Sequence, residues 1–261
     1  MNAFIGLVKK DMTLMKFWYI AWLIFTAISI IGGYLIVNWL SEPNLLVPIY
    51  LMLLGLHLFL APIMLLSALR QEGKTQLWLY NPQSSKKLLL SKVSAVFIIQ
   101  VISQVLMALY GILVMAYLMY KGEINTLSEL FTFSPGLLIH LGILSVSLYL
   151  SFWITFLWTV YHSLGNYPAI RNFRWLVVIL VWGTFNVIEA TLIKIKIIRE
   201  HLVSFTVNIN AGPNMEYDMG NGWNISYTEM PVPITPIILY AIVSIILFFI
   251  ASRLLDRKVE V

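Results

Sequence analysis

Few residues of this chain have the type and spacing that chemistry requires. Gln100 and Gln104 stand four apart, with Ser103 beside them, as one polar stripe on a helix. Such amides hydrogen-bond a neighbouring helix or a polar substrate, and both readings stay open. Asn186 and Glu189 share a face three residues apart within an apolar run. A carboxylate at membrane depth is costly and faces a partner or a cavity. The alternative is that Glu189 reaches the headgroups and pairs with Lys194 or Lys196. His57 lies mid-run, either titrating in a cavity or bonded, neutral, to a neighbouring helix. The four histidines, His57, His140, His162 and His201, fall in different segments, so no metal site is expected. With no cysteine, thiolate metal sites, disulfides and cysteine catalysis are excluded. The phosphate loop GxxxxGK[ST], HExxH and GxSxG are all absent. No catalytic residue is expected, and no cofactor bound by this chain.

The elements that must position these residues follow from composition. Of 261 residues, 60% are hydrophobic and 11% are charged. A soluble domain carries roughly 25% charge. That excludes a soluble enzyme, a disordered chain and a nucleic-acid-binding domain. Six apolar stretches are long enough for a hydrocarbon core of about 30 Å. They cover 17–40, 45–69, 93–120, 135–161, 175–193 and 233–252. Backbone hydrogen bonding in lipid demands helices here, since no alternating barrel strands appear. The expected fold class is therefore all-α, an integral-membrane six-helix bundle. Pro62 is placed to kink the second span. Trp18, Tyr19, Trp39, Tyr120, Trp158, Tyr161 and Trp175 sit near span ends, as an aromatic belt requires.

Orientation follows from Lys and Arg. Thirteen of the 17 fall at one end: Lys9, Lys10, Lys16, Arg70, Lys74, Lys86, Lys87, Lys92, Arg171, Arg174, Arg253, Arg257 and Lys258. The rule makes that end, with both termini, cytoplasmic. Residues 1–16 do not read as a cleavable signal. Phe4, Val8, Met12 and Met15 recur at helical spacing among Lys9, Lys10 and Lys16. The pattern reads as an amphipathic elbow helix on the cytoplasmic leaflet, in contact with membrane lipids.

Two connections are more than turns. The cytoplasmic segment 70–92 carries Leu77-Trp78-Leu79-Tyr80 among charges, then Pro82. Exposed Trp and Leu either dock in a partner's pocket or anchor at headgroups. The outer segment 194–232 is polar and Gly-rich toward its middle, and its length suits a functional loop. Residues 193–203 either continue the fifth helix or fold back as a short re-entrant element.

The order of elbow, two spans, an acid-Gly-Lys-Thr loop with an apolar patch, four spans and a large last outer loop resembles the ABC-2-type permeases of bacterial ABC exporters. Their loop E-x-G-[ST]-x-x-x-L-L-x-x-P is matched by Gln71-Glu72-Gly73-Lys74-Thr75-Gln76-Leu77-Trp78-Leu79-Tyr80-Asn81-Pro82. The Trp and the Asn-Pro-Gln run resemble a Gram-positive subset linked to antimicrobial-peptide or toxin export. The resemblance implies a type V (ABC-2/ABCG-like) exporter architecture in the plasma membrane. It implies that Glu72, Gly73, Thr75, Leu77, Trp78 and Pro82 dock on a separate ATPase subunit, which binds ATP and Mg. It implies a dimer with a second or sister permease, with His57, Asn186 and Glu189 near the route and 193–231 as the outer gate. Gln100 and Gln104 are further route candidates. The expected function is export of an amphipathic or hydrophobic cargo, peptide or lipid-like. The rivals are a membrane sensor or immunity scaffold with an extracellular ligand, and a stand-alone secondary transporter.

Overall fold

The computed structural model describes residues 3–75, 83–122, 133–218 and 222–258. Six of its helices are long and apolar enough to cross a membrane. The protein is a multi-pass membrane protein built as a helical bundle.

Helix α1 (Ala3–Leu40) holds the first span. Its 38 residues reach about 57 Å, well beyond a hydrocarbon core. No break separates residues 3–16 from the span. The sequence suggested an elbow helix on the leaflet feeding the first span; residues 3–16 and the span form one continuous helix. The reason is that its apolar stripe has protein to bury against. Leu7, Val8 and Met15 are buried in the main core, with Phe4 and Met12 packed on it.

Helix α1 ends sharply. Ser41 takes a left-handed φ of 57°, and the Glu42 N–H bonds the Val37 carbonyl at 3.3 Å. This closes the helix in a Schellman-type cap and turns the chain within four residues. The second span is α2 (Leu46–Leu56), a 3-10 turn at His57–Phe59, and α3 (Leu60–Thr75). Pro62 explains the interruption. It lacks the N–H that would bond the residue 58 carbonyl, and its ring crowds that carbonyl. Then follow α4 (Ser85–Tyr120), α5 (Phe133–Ser163), α6 (Arg174–Lys194) and the short α7 (Lys196–Val203). Ile195 is extended (ψ 117°) and breaks α6 from α7, which packs against the last helix. That helix is α8 (Ile234–Lys258).

An antiparallel hairpin precedes it, β1 (Thr206–Asp218) and β2 (Gly222–Pro233). Register runs from Thr206↔Pro233 to Asp218↔Gly222, with one irregularity between Asn210 and Gly212. The all-α expectation holds for the bundle, and the hairpin departs from it.

The main core lies toward the end where α1 begins, hereafter the basic end. It joins α1, α3, α4, α5 and α8 through Met15, Leu60, Met64, Leu65, Leu69, Leu89, Val96, Ile99, Trp158 and Ala251. Close approach depends on a stripe of small hydroxyl residues on α5. Ser147, Ser151, Thr155 and Thr159 recur every four residues and are fully buried. The Ser151 and Thr155 hydroxyls donate to the Ser147 and Ser151 carbonyls, so burial costs them no partner. Helix α6 contributes no buried residue.

Candidate functional site

Three elements meet at the basic end around a buried cluster of charge. Asp11 lies on the same helical face as Leu7, Val8 and Met15 and is fully buried. Lys92, one turn into the buried stretch of α4, and Glu72, near the end of α3, are each 1% exposed. Lys92 Nζ is 2.6 Å from Glu72 Oε2 and 3.2 Å from Asp11 Oδ1. Lys10 Nζ bonds Glu72 Oε1 and lies 3.6 Å from Asp11 Oδ1. The Ser91 hydroxyl donates to Asp11 Oδ2 at 2.6 Å. The formal charges of two cations and two anions cancel within the cluster. Such a set is costly to bury and costlier to break one member at a time.

This cluster clamps both roots of the connection between α3 and α4. Glu72 was expected on a docking surface. Its carboxylate points into the cluster and its side chain is 1% exposed. Gly73 is held by packing. A Cβ there would meet Trp158 Cζ2 at 3.1 Å. Trp158 stacks on the His162 ring at 3.9 Å between centroids. It is 7% exposed and belongs to the core, not to an aromatic belt. Thr75 is the last residue of α3. Leu77, Trp78 and Pro82 lie outside the described residues.

A second polar set occupies the bundle interior. The Trp22 indole N–H donates to His57 Nε2 at 3.4 Å. An indole only donates, so Nε2 accepts and the ring proton sits on Nδ1. Nδ1–H then donates to the Leu53 carbonyl at 2.8 Å, and the Ser103 hydroxyl donates to Nε2 at 3.1 Å. His57 is thus a neutral, bonded histidine between helices, one of the two readings its sequence position left open. Gln100 Nε2 donates to the His57 carbonyl at 3.0 Å, across the 3-10 turn. Gln104 Oε1 accepts from His140 Nδ1, and His140 Nε2 lies 3.3 Å from the Tyr50 hydroxyl. His140 and Tyr50 were not singled out from sequence. Their partners lie 36 and 90 residues away, so no local spacing announces them. Gln100 thus bonds the His57 set and Gln104 the His140 set, two neighbouring polar groups of the bundle interior.

Asn186 and Glu189 are apart from it. Both sit on α6, where Asn186 Nδ2 donates to the Trp182 carbonyl of its own helix at 2.7 Å. Glu189 accepts from the Tyr240 hydroxyl of α8. It does not pair with Lys194 or Lys196 among the described residues; Lys196 faces Glu200 at 3.8 Å. Among the described residues, no group of three or more His, Cys, Asp or Glu is placed to hold a metal ion.

Comparison with known proteins adds one relative. The chain is 30% identical to the uncharacterized protein YhcE of Bacillus subtilis (strain 168) over 261 residues, the whole length of both. The chain belongs to the YhcE family. No family model and no solved structure matches it.

Proposed function

We propose that the chain is the permease subunit of an ATP-driven ABC exporter, with both termini in the cytoplasm of a bacterial cell. A separate ATPase subunit binds and hydrolyses ATP with Mg. A second permease, identical or sister, completes the pathway. The cargo is amphipathic or hydrophobic, a peptide or lipid-like molecule. This chain itself carries no catalytic role.

The observation that carries this reading is the ion cluster at the root of residues 76–82. A segment that receives force must be anchored stiffly, or the force is lost in bending. Lys92 and Glu72 bind its two roots to each other, and Asp11 and Lys10 bind both to α1. A push on the 76–82 segment therefore reaches spans one, two and three together. Leu77, Trp78 and Pro82 carry the docking role in this reading, and Glu72, Gly73 and Thr75 hold the segment. The motif resemblance around Gln71–Pro82 supports the same assignment.

The test is co-purification from the native membrane in mild detergent, with and without Trp78→Ala. Recovery of an ATPase subunit that the substitution abolishes is the expected result. Absence of any ATPase, even after crosslinking, would remove the power source and the proposal with it. A sensor or immunity scaffold is then the next reading. The hairpin of β1 and β2 favours it, since this platform lies at the bundle end opposite the basic one and is long enough to hold a ligand. A secondary transporter would instead need ionisable groups that load at the midplane.

A further inference from the structure

Among the described residues, Glu189 is an acid at membrane depth with no basic partner. It sits five residues before the end of α6, about 8 Å inside it. Helix α6 contributes no buried residue, and Asn186 lies one turn earlier on the same face as Glu189. The Tyr240 hydroxyl supplies one hydrogen bond. That bond orients the carboxylate and leaves its charge uncompensated. Among the described residues no Lys or Arg pairs with it, although Lys194 is only five residues on. An uncompensated carboxylate against hydrocarbon is expensive.

The aromatic surroundings indicate what compensates it. Tyr240 lies beside Tyr149 of α5, with centroids 5.1 Å apart and planes tilted by 59°. Trp153 extends this wall, 6.5 Å from Tyr149 and 4.7 Å from Phe185 of α6. A carboxylate bonded at the rim of one tyrosine, with a second tyrosine ring packed beside it, is a combination suited to an organic cation, through charge at the carboxylate and the ring quadrupoles nearby. A hydrated metal ion would gain little from the rings. An anionic or neutral ligand would gain nothing from Glu189. The depth of the carboxylate requires that the cation be carried by an apolar body able to enter the bilayer.

We propose that Glu189, Tyr240 and Tyr149 form a binding site for amphipathic organic cations at the α5–α6–α8 surface. The inference deepens the permease reading by giving the cargo a charge. It needs no ATPase, so its failure and the failure of that reading are separable.

The experiment uses the full chain in dodecyl maltoside, a detergent without charge. Tetraphenylphosphonium is titrated by equilibrium dialysis, with triphenylphosphine oxide as a neutral probe of similar bulk. Saturable binding of one cation per chain is expected, weakened about tenfold or more by Glu189→Gln and severalfold by Tyr240→Phe. The neutral probe should not respond to either substitution. Size-exclusion profiles identify any variant that fails to fold, and Tyr240→Phe keeps the test open if Glu189→Gln is lost. Displacement by phosphatidylcholine would keep the site and make a lipid headgroup its occupant. Lack of displacement would assign it to a passing amphiphile. Equal cation binding by the parent chain and folded variants, or no saturable binding, overturns the proposal.

Discussion

Replacing Lys92 with Met removes the ammonium that faces two buried carboxylates. Its contacts with Glu72 and Asp11 are 2.6 and 3.2 Å, among side chains 0 to 1% exposed. At an effective dielectric near 20, each contact is worth roughly 5–6 kcal/mol before desolvation. Desolvation of the ammonium offsets most of this, so the intact set is no large source of stability. The broken set is different. Lys92→Met leaves Asp11 and Glu72 buried with only the partly exposed Lys10 between them. A loss of about 3–5 kcal/mol is expected, the usual cost of stranding a buried charge. Adding Glu72→Gln should recover about 1–3 kcal/mol, because one stranded charge goes with it. The assay is equilibrium unfolding of the purified chain in mixed micelles, for both single variants and the double. Strictly additive single effects, or a Lys92→Met chain within about 0.5 kcal/mol of the parent, would refute a coupled buried cluster.

Packing predictions rest on the glycines. A Cβ at Gly111 would lie 2.9 Å from Tyr50 Cζ and from its hydroxyl oxygen, so Gly111→Ala should cost about 1–3 kcal/mol in the same unfolding assay. Gly142, with nothing within 4 Å, is the control, and Gly142→Ala should be neutral or slightly stabilising. Equal effects at the two sites would contradict the packing described. Gly73→Ala should press on Trp158, cost about 1–3 kcal/mol, and be relieved when combined with Trp158→Phe. No relief in that double variant would mean that the contact is not the source of the loss.

The six spans were legible because apolar runs of that length have few other uses. The four residues left between the apolar stretches 17–40 and 45–69 likewise imply the tight turn after the first span. The path of residues 3–16 was not. Asp11 among lysines reads as one more solvated charge, and the partner that makes it a buried one, Lys92, lies 81 residues away. The hairpin was hidden by Gly212, Pro213 and several asparagines, which argue for loop, and by the irregular register between Asn210 and Gly212. The hydroxyl stripe at 147, 151, 155 and 159 had a readable i,i+4 signal, masked by the apolar residues around it. Of the candidate site, residue types were legible and partners were not. Gln100 and His57 were each singled out, but only the fold brings one amide to the other's carbonyl.

The polar groups of the bundle sort by depth in a way that supports the membrane reading independently of hydropathy. Lys10, Asp11, Glu72 and Lys92 all lie outside the apolar stretches, at the basic end, and each acid faces an amine of the set. Around the interrupted second span the polar side chains are His57, Ser103 and Gln100 in one bonded set and Gln104, His140 and Tyr50 in another, none of which needs a formal charge. Hydrogen bonds between neutral groups survive in hydrocarbon, whereas an isolated charge at the centre does not. Glu189 breaks the order only partly, lying near the hairpin end and bonded by Tyr240. A soluble bundle would have no reason to keep its buried ion pairs at one end and its neutral amides in the middle. A bilayer imposes that gradient, and local propensity, packing and polar satisfaction then agree on the same six crossings.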